Sequence, residues 1–171
     1  CEPAPPYFLL TPELLPSKDA DYRMNPPLRE ASDVAAIREA VVDGTIDCIV
    51  TDHAPHAAFE KANFRTAPNG VVGLETSFAA SFTALVKTGL LPLSGLIERM
   101  SSRPAAILGV PGGHIRVGAP ADLAVADLSQ SWTVEPDKLR SKSKNTVFKG
   151  MELTGRVVLT FKGGETVYTI L

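Results

Sequence analysis

The sequence has 171 residues, 44% of them hydrophobic and 21% charged, with a formal net charge of -2. This balance describes a soluble globular chain, one domain or a piece of a larger one, with no excess positive charge to favour nucleic acid or membrane surfaces. No apolar run approaches the ~18 residues of a membrane span, no signal peptide is visible, and two cysteines argue against a disulfide framework and favour a cytoplasmic setting.

The chain opens at Cys1 without an initiator Met, and is expected to be the remainder of a longer protein. Residues 1–30 carry Pro3, Pro5, Pro6, Pro12, Pro16, Pro26 and Pro27. Proline at that density predicts a long loop, with Tyr7 to Leu10 briefly extended. Asn25-Pro26-Pro27-Leu28-Arg29 closes it, either as a rigid connector or as a device that holds the Asn25 amide toward a ligand. Ser32 as N-cap, Val34, Ile37, Val41 and Val42 on one face, and Gly44 as the stop predict a helix over 32–43. Ile46 to Val50 has the length and β-branched content of a buried strand. This helix-then-strand order is half of a βα repeat.

A loop is expected over 51–73. Helices follow over 74–87, 93–101 and 104–108, the last with Pro104 in its first turn. After Gly109 the pattern turns to strands: 122–128, 132–134, and a hairpin of 155–161 with 165–170 across Lys162-Gly163-Gly164. Residues 135–150 are polar and predict a loop, with Lys138, Arg140, Lys142 and Lys144 as a solvated basic run. The division is an α/β part over 1–110 and a β module over 111–171.

The chemistry centres on Thr51-Asp52-His53-Ala54-Pro55-His56, just past the C-terminal end of the expected strand. That edge is where α/β proteins bind ligands. One acid beside two imidazoles could cap a turn, or could bind a divalent metal and shuttle protons. A catalytic zinc needs about three protein ligands. The third histidine, His114, lies far away in a Gly-rich turn, so these residues alone do not complete a metal site.

Thr51 to His56, followed by Glu60-Lys61, resembles the C-terminal signature of dihydroorotases. Met24 to Arg29, Asp43 to Asp47, Ala67 to Thr76 and Ala119 to Leu123 resemble neighbouring segments of that family. The resemblance covers nearly the whole chain but only the C-terminal part of a typical member. It implies an amidohydrolase (β/α)8 TIM-like barrel with a small β-sandwich made by both chain ends. It implies zinc, one or two ions, and reversible cyclisation of N-carbamoyl-L-aspartate to L-dihydroorotate in pyrimidine synthesis. Asp52 would touch metal and act as the proton shuttle. Asn25, His56, Asn69 and Gly70 would meet substrate, Asn69 and Gly70 largely through backbone. Most metal ligands would lie upstream of Cys1. His53 reads as structural, and Lys61 as a loop-fixing ion-pair partner.

A homodimer is expected, with aspartate transcarbamoylase as a possible partner. One departure stands out. The family's usual His-His pair after Thr-Pro is replaced by Ala4-Pro5-Pro6-Tyr7. It motivates a second reading, a catalytically inactive assembly subunit. A third is a related hydrolase of hydantoin or allantoin. Part of a barrel leaves strand edges unpaired, so residues 1–171 alone are expected to be inactive and poorly stable.

Overall fold

The computed structural model describes residues 1–14 and 18–170. Residues 15–17 of the expected Pro-rich loop, and Leu171, lie outside them.

The first element departs from expectation. Pro6–Leu9 is a single helical turn, α1, and not an extended segment. Pro5 and Pro6 explain it, because a fixed φ suits a first turn whose N–H groups are unpaired anyway. The Leu10 N–H closes the turn on the Pro6 carbonyl at 3.0 Å. Helix α2, Ala31–Asp43, follows the predicted apolar stripe and ends on left-handed Gly44 at φ 90°, but Glu30 stands at its N-cap and Ser32, the expected cap, lies inside the first turn. Val34 and Val41 are buried, whereas Val42 turns outward.

Residues 46–50 form no regular strand: Ile46 lies in a bend, and 47–50 take no regular secondary structure. The Asp47 and Val50 N–H groups donate to the Cys1 and Pro3 carbonyls at 3.1 and 3.0 Å, and the Ile49 N–H to Arg99 at 3.0 Å. The bonds are thus split between two neighbours, and Pro3, Pro5 and Pro6 offer no N–H to continue a ladder. Even so, Ile49 is buried with Phe8, Val41, Leu85 and Leu96 in one apolar cluster.

The expected helix over 74–87 begins at residue 77, as α3, Ser77–Ser81, and continues as a π-helical turn over Phe82–Val86. The two later helices merge. Leu93–Ile97 (α4) runs through a second π-helical turn, Glu98–Ser102, into Arg103–Leu108 (α5), with Pro104 in its first turn. Among the described residues no helix is long and apolar enough to cross a membrane.

Three strands, β1 (Leu123–Thr133), β2 (Glu152–Lys162) and β3 (Glu165–Thr169), form one antiparallel sheet in the order β1-β2-β3. The two strands expected over 122–134 are one. Register shifts absorb the polar stretch, which the Asp127 carboxylate braces by accepting the Ser129 and Gln130 N–H groups at 2.9 and 3.2 Å. Lys162 pairs with Glu165 across Gly163 and Gly164 at φ 59° and 85°, the geometry of a type I′ turn. Among the described residues the sheet has no second sheet facing it, so the β part is one layer where a sandwich was expected. Val125 and Val167 remain exposed on it.

The sheet meets the helices through Gly155, where a Cβ would come 3.1 Å from the Phe82 ring. Thr154 and Thr83 add a bond, the Thr154 N–H donating to Thr83 Oγ1 at 2.8 Å.

Residues 135–150 also depart from expectation. Asn145, Thr146, Val147 and Phe148 are buried. Val147 and Phe148 join Leu10, Met24, Val71 and Leu153 in a second cluster. The basic side chains are engaged as well: Lys138 pairs with Glu135 at 2.7 Å, and Arg140 lies 4.7 Å over the Tyr168 ring. Burial of an uncharged island inside a Lys-rich stretch offsets the cost of ordering it.

Candidate active site

The segment 46–50 leads the chain to Asp52, which takes a left-handed conformation at φ 46°. Asp tolerates that region better than most residues. Non-glycine residues held there cluster at functional sites. Asp52 is exposed, and its carboxylate has no hydrogen-bond or ion-pair partner among the described residues. The Tyr7 hydroxyl is buried without a hydrogen-bond partner among the described residues. Burial, and then the charge of Asp52, pushes its pKa up to about 12. Tyr7 therefore sits in the electrostatic field of Asp52.

The rest of the loop is tied to residues 69–74. His53 Nδ1 accepts the Gly73 and Leu74 N–H groups at 3.1 and 3.4 Å. That nitrogen therefore presents its lone pair to the backbone, which is a structural task. Residues 53 and 71 form an isolated parallel bridge, and the Ala54 N–H donates to the Val71 carbonyl at 2.8 Å.

His56 is held from several sides. Its Nε2 lies 3.0 Å from the Asn69 carbonyl, and its Nδ1 lies 4.0 Å from Glu60. Its backbone N–H donates to Asn145 Oδ1 at 3.2 Å. Gly70, at φ 113°, completes the close approach: a Cβ there would meet Ala54 Cβ at 2.5 Å and His56 Nε2 at 3.7 Å. The structure thus brings together His56, Asn69 and Gly70. Asn25 is exposed beside a cis Asn25–Pro26 bond. Among the described residues no hydrogen bond joins Asn25 or Asp52 to that group.

Two residues missed in the sequence do much of the bracing. Arg23 donates to Asn69 Oδ1 at 3.2 Å and to the Phe64 carbonyl at 2.7 Å, while its own carbonyl accepts the Gly70 N–H at 3.0 Å. Asn145, 5% exposed, donates from Nδ2 to the Ala54 and Gly70 carbonyls, both at 3.1 Å. The available signal was the uncharged Asn145-Thr146-Val147-Phe148 run between lysines.

Lys61 fixes the loop, but not as an ion-pair partner. Its ammonium is caged by the carbonyls of Ala20, Pro68 and Arg23 at 3.0, 2.9 and 3.4 Å. Burial pushes its pKa below the usual lysine value. The nearby carboxylates of Asp19 and Asp21 pair instead with Lys149.

Among the described residues no three His, Cys, Asp or Glu side chains converge as a metal-binding group. His53 Nδ1 and His56 Nε2 are both engaged by backbone groups. These residues therefore do not make a closed zinc site. They fit Asp52 as one contributed oxygen ligand.

The chain belongs to the amidohydrolase family, whose model matches residues 17–167 and so takes in the open Asp52 carboxylate and the braced pair of loops. Its relatives include the dihydroorotase of Geobacter metallireducens, 50% identical over 169 residues, covering 98% of this chain and 40% of the relative. The dihydroorotase of Bacillus caldolyticus is 47% identical over 168 residues, 98% of this chain and 39% of the relative. The chain thus spans about 40% of the length of these curated relatives. Among solved structures, the L-hydantoinase (dihydropyrimidinase) of Arthrobacter aurescens matches 99% of this chain and 39% of its own, with TM-score 0.88 and 34% identity. The dihydropyrimidinase of Brevibacillus agri matches 98% and 39%, with TM-score 0.90 and 26% identity.

Proposed function

We propose that this chain forms part of a dihydroorotase that interconverts N-carbamoyl-L-aspartate and L-dihydroorotate. The observation that carries this reading is Asp52: a left-handed residue with an open carboxylate beside the braced His56–Asn69–Gly70 group. Identity of about 50% to dihydroorotases along nearly all of the chain supports the substrate. Residues 1–110 would belong to a (β/α)8 barrel, and residues 111–171 to a β-sandwich completed by other parts of the protein.

Asp52 would be one ligand of a zinc centre whose other ligands come from outside these residues. Zinc bound there would supply a water ionised near neutral pH and a polarised carbonyl. Asp52 takes the proton of the attacking water and passes it to the leaving ring nitrogen. In the synthetic direction it takes the proton from that nitrogen. His56, Asn25 and the backbone of Asn69 and Gly70 bind the anionic substrate, where charge-assisted hydrogen bonds are strongest. Residues 1–171 by themselves would be inactive, because they supply one metal ligand.

The test is turnover by the complete, zinc-loaded protein on L-dihydroorotate, hydantoin, allantoin and dihydrouracil. Preference for dihydroorotate supports the proposal, and preference for hydantoin or another ring overturns the substrate. Inactivity on every ring would favour the second reading, an assembly subunit for aspartate transcarbamoylase. The observation behind that reading is Pro6-Tyr7, which opens helix α1 at the stretch where the family resemblance leads one to expect a histidine pair.

A further inference from the structure

Three groups tie the loop of Asp52 and His56 to the loop of Asn69 to Gly73. The Ala54 N–H meets Val71, the His56 ring meets Asn69, and His53 meets Gly73. All of these hold the loops to each other. None holds them to the rest of the protein.

Asn145 does that. Its Nδ2 donates to the Ala54 carbonyl and to the Gly70 carbonyl, and its Oδ1 accepts the His56 N–H. Its own carbonyl accepts the Val72 N–H at 2.9 Å. One buried amide therefore sets the planes of the peptide groups flanking His56 and Gly70. Its own segment is anchored in turn, because Phe148 is buried in the core and the Gly150 N–H donates to Val134 beside the sheet at 2.8 Å. A site holds its geometry only when such supporting contacts lock it to a rigid scaffold.

We infer that Asn145 is a positioning residue: its carboxamide docks the two loops that meet substrate onto the buried segment 145–148. This rests on the dihydroorotase reading for the identity of the substrate, but the docking is independent of it. Aspartate at 145 keeps the shape and the acceptor for the His56 N–H. It replaces the Nδ2 donor with a carboxylate oxygen facing the Ala54 and Gly70 carbonyls, so this tether of both loops to segment 145–148 is lost, while the Arg23 contacts to Asn69 and Gly70 remain. A shift of about 1 Å in such loops can cost on the order of 100-fold in kcat/KM.

The experiment uses the complete, zinc-loaded protein with Asn145→Asp, and Asn145→Ser as a milder second variant. Two readouts are taken: steady-state kinetics on L-dihydroorotate, and hydrogen exchange of peptides covering residues 53–57, 69–73 and 33–42. The expected result is a KM raised at least about tenfold, with kcat falling by less than KM rises. Exchange should speed up at least about tenfold in the two loop peptides and stay unchanged in α2. Unchanged loop exchange, uniform loosening of all three peptides, or a KM within about twofold of the parent overturns the inference. So does failure of both variants to fold, since Asn145 would then act on the whole fold. A parent protein inactive on dihydroorotate refutes the dihydroorotase reading alone, and the exchange readout still decides the role of Asn145.

Discussion

Gly73 lies directly against the backbone of Thr51: a Cβ at residue 73 would come 2.2 Å from the Thr51 carbonyl oxygen. The obstacle is backbone, so no side-chain rotation relieves it. Gly73→Ala should cost about 3 kcal/mol of stability, and should loosen the His53 contact to the Gly73 N–H. Thermal unfolding of the complete protein checks the first effect. A melting temperature equal to the parent's would contradict this packing.

Asp52→Asn separates chemistry from fold. Asn is at home in the left-handed region, and the carboxylate has no partner to lose among the described residues. Stability should change by less than about 0.5 kcal/mol, while turnover should fall by at least about 100-fold. Near-parental turnover would remove Asp52 from the proposed role.

Lys61→Met tests the carbonyl cage. Methionine keeps most of the volume but leaves the carbonyls of Ala20 and Pro68 without their buried donor. The loss should be about 2–3 kcal/mol, as for hydrogen bonds to a charged group. Lys61→Arg should not rescue it, because a planar guanidinium does not fit a site built for a compact ammonium. Urea unfolding of both variants gives the comparison.

The hairpin should show a specific acid sensitivity. Hydrogen bonding to Lys162 and to the Gly163 N–H holds the Asp122 carboxyl below the usual aspartate range. A lowered carboxylate pKa stabilises the fold above the ordinary value of about 3.9, and that contribution is lost as pH falls through the lower folded value. Asp122→Asn should therefore reduce stability at pH 6 and flatten its decline below about pH 4. Chemical denaturation at pH 3, 4 and 6 measures it. An unchanged acid limb in the variant would contradict the assignment.

Local signals carried much of the fold. The Val34–Val41 stripe with its Gly44 stop gave α2, and the Gly163-Gly164 pair gave the hairpin, because each is set by residues close in sequence. What escaped was decided at long range. Segment 46–50 forms no regular strand and shares its hydrogen bonds between Cys1, Pro3 and Arg99, which no local pattern encodes. The basic stretch hid Asn145 because its partners lie 75 to 91 residues away. For the candidate site, the motif pointed to the right loops. It could not show that Lys61 finds carbonyls in place of a carboxylate, or that Arg23 braces Asn69.

The reach of Asn145 also imposes an order on assembly. During synthesis the loops around Ala54 and Gly70 leave the ribosome 75 to 91 residues before the amide that docks them. At about 5–20 residues per second, that is a delay of roughly 4–18 s. Over that interval the nascent chain carries both loops without their anchor, and the site can reach its final shape only after residue 145 has emerged.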